Sequence, residues 1–233
     1  MVSNPLILEK SFLLRNSSNR CRIADIGCGT GSLLPTLAAH FQSIIAIDLS
    51  ERCLEIAEKR YGNLDGIKFL QHDFIRPLPK INQVDVGVCL NVAIMPNYSS
   101  RMKLLKNVTQ LIRPGGRLVL LIPSMESALL SAHRLVRWNL EEYENYRAAS
   151  SAASSELGFT ARSVRDGVVE TGGTPTKHYL REELELLLPE LGHEICSIEK
   201  VQYHWNTEFD KPPSTMIAPY PWDWLIVSKP SRK

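Results

Sequence analysis

The stretch Ile23-Ala24-Asp25-Ile26-Gly27-Cys28-Gly29-Thr30-Gly31 constrains this chain more than any other. Arg22 to Ile26 is a short β-type run, and three alternating glycines follow it at a strand-to-helix turn. Glycine at such a turn admits positive φ and lets a ligand approach the bare backbone. Loops of this kind open parallel α/β sheets, and the rest of the first half agrees. Ser32 to Phe41 reads as helix, Ser43 to Ile47 as strand, and the next helix runs to Tyr61 from a Ser50 cap with Glu51 near its positive end. Ile67 to Leu70 and Val84 to Leu90 are the third and fourth strands. Ser99 or Ser100 opens a helix with Met102, Leu105, Val108 and Leu111 or Ile112 at helical spacing. Pro114-Gly115-Gly116 stops it, and Arg117 to Ile122 is a fifth strand. These strands are nearly continuous in Val, Ile and Leu, the pattern of parallel strands covered on both faces. The fold class is therefore α/β, with a doubly wound sheet.

The second half differs. Glu126 to about Arg147 reads as one long helix, Ala148 to Ser155 as a loop or frayed helix end, and Gly167 to Gly173 as turns. Arg181 to Leu191 is helical again. Glu194 to Tyr203 and Trp224 to Ser228 are two final strands, separated by an aromatic and proline-rich loop, Tyr203 to Trp222. One domain over 1–233 accommodates all of this, with a core at 20–123, an insert at 124–177 and a C-terminal helix and strand hairpin at 178–230.

Glycine spacing separates two kinds of ligand. A dinucleotide loop of the GxGxxG type would place its third glycine where Ser32 stands, whereas here the order is GxGxG. Asp25 precedes the first glycine by two positions, where a carboxylate would repel a pyrophosphate but suit a cationic ligand. Asp48 ends the second strand, placed to accept hydrogen bonds from two ribose hydroxyls, with Leu49 directly after it. Asp73 follows the third strand between His72 and Phe74, in reach of an adenine. Asn91 stands just beyond the fourth strand, on the side where open α/β sheets bind ligands.

From about Arg22 to Ile122, including the turn Arg113-Pro114-Gly115-Gly116, the chain resembles the class I S-adenosylmethionine-dependent methyltransferases. The resemblance implies a Rossmann-like, mostly parallel seven-stranded sheet with an antiparallel last strand and a helical insert after the fifth strand. It implies S-adenosyl-L-methionine as methyl donor, with Gly27, Gly29 and Gly31 under the methionine part. Asp48 would hold the ribose, Asp73 with His72 and Phe74 would frame the adenine, and Asn91 would face the methionine end, with Asp25 and Leu49 as further cofactor-binding residues. The acceptor it favours is a small molecule methylated at oxygen or nitrogen. A protein or RNA acceptor, or a non-catalytic S-adenosylmethionine-binding subunit, is the alternative.

Other chemistries fit less well. Asn91-Val92-Ala93-Ile94 lacks the Asn/Asp-Pro-Pro-aromatic motif of enzymes that methylate base amines or glutamine amides, and Cys89-Leu90 lacks the Cys-Pro of cytosine-carbon enzymes. Asp85 alone does not supply a metal-dependent carboxylate cluster, and the six histidines show no ligand spacing, so no metal is expected. His178 and His204 are the two candidates for a catalytic base. Tyr143, Tyr146, Tyr203, His204, Trp205, Phe209, Tyr220 and Trp222 are candidates for an aromatic acceptor wall. A net charge of +2 without a basic block argues against a nucleic-acid groove or an anionic membrane as partner. Met1 to Lys10 has no basic start with an apolar run, and five scattered cysteines suit a reducing, cytoplasmic setting. Oligomeric state is not legible.

Overall fold

The computed structural model describes residues 21–231, save 79, 144, 158, 160 and 172. The reading of Met1 to Lys10 lies outside the described residues. In chain order come β1 Arg22–Ile26, α1 Leu34–Ala38, β2 Ser43–Asp48, α2 Glu51–Tyr61, β3 Ile67–Gln71, β4 Val84–Leu90, α3 Tyr98–Gln110 and β5 Ile112–Pro123. There follow α4 Met125–Asn139, α5 Tyr146–Leu157, α6 Ala161–Asp166, β6 Val168–Thr171, β7 Thr174–Lys177, α7 Arg181–Glu190, β8 His193–Gln202 and β9 Trp222–Pro230.

Seven strands form one sheet in the order β3-β2-β1-β4-β5-β9-β8. The first five pair in parallel, and β9 runs antiparallel to both β5 and β8. The pleat divides the core in two. Ala24, Ile26, Ile45, Ile47, Leu118, Leu120 and Ile122 face one side, packed with Leu104, Leu105 and Val108 of α3 and Leu184 and Leu188 of α7. Ile23, Ile44, Ala46, Val86, Val88, Val119 and Leu121 face the other, against Leu34 and Leu37 of α1 and Leu54 and Ala57 of α2. Successive residues of one strand thus enter opposite halves of the core, which is why these strands are apolar throughout.

Caps place the helix starts. Ser50 Oγ accepts from Cys53 N at 3.3 Å and opens α2 as expected. Asn97, not Ser99 or Ser100, caps α3, its side chain accepting from Ser100 N at 2.9 Å. The helix expected over Ser32 to Phe41 is only the short α1. β5 begins at Ile112, ahead of Arg117, because Asp85 holds Arg113 at 2.5 Å and ties the proline-glycine turn to the sheet through a register shift beside β4.

The insert departs most from expectation. The long helix stops at Asn139, and the small-residue stretch after it is helix α5 rather than loop. Ala149 and Ala153 lie one turn apart and are buried, so their short side chains let α5 close on α4. The turn-rich Gly167 to Gly173 opens a hairpin of β6 with β7. A third apolar cluster joins Leu135 of α4, Ala153 of α5, and Trp205, Phe209 and Met216 of the β8–β9 loop. Among the described residues no helix is long and apolar enough to cross a membrane.

Candidate functional site

The C-terminal ends of β1, β2, β3 and β4 meet around the glycine loop. Gly27 N and Cys28 N both donate to Ile47 O, at 2.7 and 3.0 Å, which seats the loop over the end of β2. Gly29 N donates to Asp48 Oδ2 at 2.8 Å, and Ser50 N donates to Asp48 Oδ1 at 2.8 Å. His72 N donates to Asp48 O at 2.9 Å, bringing in the end of β3. The turn after β4 closes the group, where Asn91 takes a left-handed φ of 56° and donates its N–H to Leu121 O at 2.8 Å.

The three glycines have different jobs. A Cβ on Gly27 would collide with Val92 Cγ2, and one on Gly31 would meet Leu34 and Tyr61 at 2.9 Å. These two let the protein pack on itself. Gly29, with φ +54°, has nothing within 4 Å of the same position. Its bare backbone therefore faces free space, as a cradle for a ligand requires.

Two carboxylates share that end. Asp25 lies two residues after Ile23, and Asp48 two after Ala46, so strand alternation sends both to the α1–α2 face of the sheet. Asp25 is 4% exposed and its Oδ2 has no hydrogen-bond partner. Burial first, and the neighbouring Asp48 second, raise its carboxyl to about 7. A buried carboxylate without a cation is costly, so this group is poised to gain from a positively charged ligand.

The adenine-side residues are less uniform. Leu49 is 64% exposed beside Asp48, an apolar surface available to a flat ring. Asp73 Oδ1 accepts from Ile75 N at 3.0 Å and its Oδ2 lies 3.8 Å from the exposed Arg76. His72 meets Phe74 edge-on, with ring centroids 5.1 Å apart, and burial lowers its basicity. Phe74 itself belongs to the core, so it supports His72 rather than offering an open face. The expected ribose contact of Asp48 meets a competitor, since both its oxygens already accept backbone N–H groups. Each carboxylate oxygen has a second lone pair, so two ribose hydroxyls can still donate to it.

The expected aromatic wall does not form. Trp205 and Phe209, stacked at 5.6 Å, are buried against Leu135 of α4 and Ala153 of α5, and Trp222 is buried in the main sheet core beside Trp224. Tyr143 and Tyr146 are exposed, and Tyr203 donates to Asp223 Oδ1 at 3.1 Å. A cleft of about 670 Å³ lies elsewhere, between the start of α3 (Pro96, Tyr98, Arg101) and the α6–β7 part of the insert (Val168, Pro175). His178 and His204 are not among the residues lining it. His178 Nδ1 bonds Thr176 O at 3.0 Å, and burial lowers its basicity. His204 is exposed against Tyr220, 5.2 Å between centroids. Among the described residues no contact joins these two histidines. Sequence reading also passed over Arg101. The signal was present: Arg101 stands on the same buried stripe as Leu104, Leu105 and Val108. Among the described residues, no three His, Cys, Asp or Glu side chains are grouped to hold a metal ion.

A parallel sheet reversing direction at β1 and β4, with a glycine loop at the reversal, defines a Rossmann-like ligand-binding domain. Residues 23–116 match the family model for a methyltransferase domain. That match takes in the glycine loop, Asp48, Asp73 and Asn91, so this part of the chain is similar to methyltransferase domains. It is 29% identical over 147 residues to the ubiquinone biosynthesis O-methyltransferase of Rickettsia canadensis, covering 60% of this chain. The chain spans 61% of that relative's length. Among solved structures, a S-adenosylmethionine-dependent methyltransferase from Methanosarcina mazei aligns with a TM-score of 0.64 at 17% identity, covering 94% of this chain and 96% of that one. Magnesium protoporphyrin IX methyltransferase from Synechocystis, with bound S-adenosylhomocysteine, aligns with a TM-score of 0.63 at 14% identity, covering 97% and 83%. At these identities the structures show a shared fold.

Proposed function

We propose that the chain transfers the methyl group of S-adenosylmethionine to oxygen or nitrogen of a small-molecule acceptor. The observation that carries this reading is the convergence of the bare Gly29 backbone, Asp48 and the orphaned Asp25 at one sheet end. S-adenosylmethionine, when bound, supplies a methyl carbon already activated by a sulfonium. The chain's residues then have four tasks. Asp48 would accept from the ribose hydroxyls, and Leu49 with His72 and Asp73 would flank the adenine. Asp25, buried beside the glycine loop, would balance the positive charge of the ligand. Asn91 and the turn that follows would line the methionine end.

In the transfer, a lone pair on the acceptor forms a bond to the methyl carbon as the carbon–sulfur bond breaks and its electron pair stays on sulfur. Alignment and exclusion of water provide most of the acceleration in such an in-line displacement. A resident base is needed only where the acceptor must lose its proton early. Neither histidine candidate lines the cleft, which favours a transfer governed by positioning. The core at 20–123, the insert at 124–177 and the C-terminal part at 178–230 would act as one unit, with the insert supplying the acceptor side.

Support for a small acceptor comes from the relatives named above, whose names specify ubiquinone biosynthesis and magnesium protoporphyrin IX. The test has two parts. Equilibrium titration should give saturable binding of S-adenosylhomocysteine and none of NADH. Incubation with tritiated methyl donor and fractionated cell extract should then label the small-molecule fraction. Label confined to protein or RNA would overturn the acceptor class, and binding without label in any fraction would leave a non-catalytic subunit.

A further inference from the structure

The cleft beside α3 contains a buried charge with no counter-ion. Arg101 is 5% exposed and lines the cleft. Its Nη1 donates to Met95 O at 2.6 Å and to Pro96 O at 3.2 Å, and the Tyr98 ring lies 5.6 Å from its guanidinium carbon. Among the described residues, no carboxylate lies within 4.0 Å of it and its Nε and Nη2 have no partner. Neither nitrogen is sealed from solvent while lacking a partner. Lys177, also buried, is matched by Glu183 at 2.8 Å. Asp166, on the cleft wall, is held by Arg165 at 2.7 Å. Arg101 therefore presents a free N–H edge, unpaired with any carboxylate, to the cleft, an edge that a bound anion would fill.

The same side chain belongs to a strip of backbone leading from the glycine loop. Val92 packs where a Cβ of Gly27 would stand. The next four carbonyls are each held in turn: Ala93 O by Tyr179 Oη at 2.5 Å, Ile94 O by Lys177 N at 2.8 Å, and Met95 O and Pro96 O by Arg101. Pro96 lies five positions after Asn91, a span of at most about 18 Å. The cleft and the glycine loop are thus two ends of one pinned connection.

We propose that this cleft is the acceptor site and that the acceptor carries a carboxylate, seated on the Nε–Nη2 edge of Arg101. The free edge of a guanidinium presents two parallel N–H groups that match the two oxygens of one carboxylate. A phosphate dianion would call for a second free cation, and Lys177 is already committed to Glu183. Pro96, Tyr98, Val168 and Pro175 give the remainder of the ligand an apolar surface. The inference rests on the methyl-transfer reading for the name acceptor, and the experiment separates the two.

With S-adenosylhomocysteine present, benzoate and 3-phenylpropanoate are titrated against their neutral amides. The acids are expected to bind at least tenfold more tightly than the amides. Arg101→Gln should erase that preference, and Val168→Trp, which narrows the cleft and leaves the Arg101 side chain in place, should weaken acids and amides together. Acids and amides binding equally, a preference that survives Arg101→Gln, or acid binding undisturbed by Val168→Trp would each overturn the proposal. If Arg101→Gln does not fold, the Val168→Trp titration and the acid-to-amide ratio of the parent protein decide it. Failure of S-adenosylhomocysteine itself to bind the parent protein would instead overturn the methyl-transfer reading.

Discussion

The glycine loop and the insert sit near the same end of the sheet but are assembled on different terms. In the loop, nearly every contact is made by backbone or by a residue fixed by strand alternation. Asp48 accepts from Gly29 and Ser50, Gly27 and Cys28 donate to Ile47, and Asp25 follows from its place in β1. In the insert, the contacts are between side chains far apart in sequence: Leu135, Ala153, Trp205, Phe209 and Met216 share one cluster. The first region can vary its neighbours and keep its shape. The second holds together only if both distant segments are present and packed, so its aromatic residues serve as core before they can serve as pocket.

That contrast can be broken most forcefully at Trp205, which is fully buried. Trp205→Ala should cost about 3–5 kcal/mol of stability, read by denaturant unfolding, with the cofactor affinity of the folded fraction unchanged. A loss of affinity without loss of stability would mean that the two regions are not separable in this way. The glycines sharpen the contrast inside the loop. Gly29→Val should weaken S-adenosylhomocysteine by roughly 100-fold or more, because the branched side chain would take the ligand's place. Gly27→Ala should act mainly on thermal stability, since its methyl meets Val92 rather than open space.

Asp48→Ala should weaken the same ligand by about 1.5–3 kcal/mol, from lost charge-assisted bonds to the ribose and a loosened Gly29 N–H. The smallest effect is a pH dependence. With Asp25 raised to about 7 in the folded protein, affinity for the cationic cofactor should increase about tenfold between pH 6 and pH 8, then level off, as the carboxyl ionises. The sign for stability is the reverse. Between the unfolded value of 3.8 and about 7 the native state binds more protons, so stability without ligand should fall as pH rises through that window. Asp25→Asn should remove both slopes, read by titration and by thermal unfolding.

Where local chemistry decides, the chain was legible. The glycine spacing and the continuous apolar strands predicted a doubly wound sheet, the family resemblance implied its antiparallel last strand, and β1 to β5, β8 and β9 follow that plan. Helix starts were legible to a few residues, because Ser50 and Asn97 compete with nearby polar residues for the capping position. The insert was not. Nothing local in Asn139 to Tyr143 contains glycine or proline to end a helix, and Ala148 to Ser155 becomes helical because its small residues fit against α4. Arg101 was missed for a related reason. A charge at a helix start reads as solvated, and only its place on an apolar stripe distinguishes it.

The most direct test of the account is a crystal structure with S-adenosylhomocysteine bound. It should place both ribose hydroxyls about 2.6–3.0 Å from Asp48, the thioether chain over Gly29, and the amino group on the Asp25 side of the loop. Ligand density away from Gly29, or Asp48 left bonded only to Gly29 and Ser50, would contradict it.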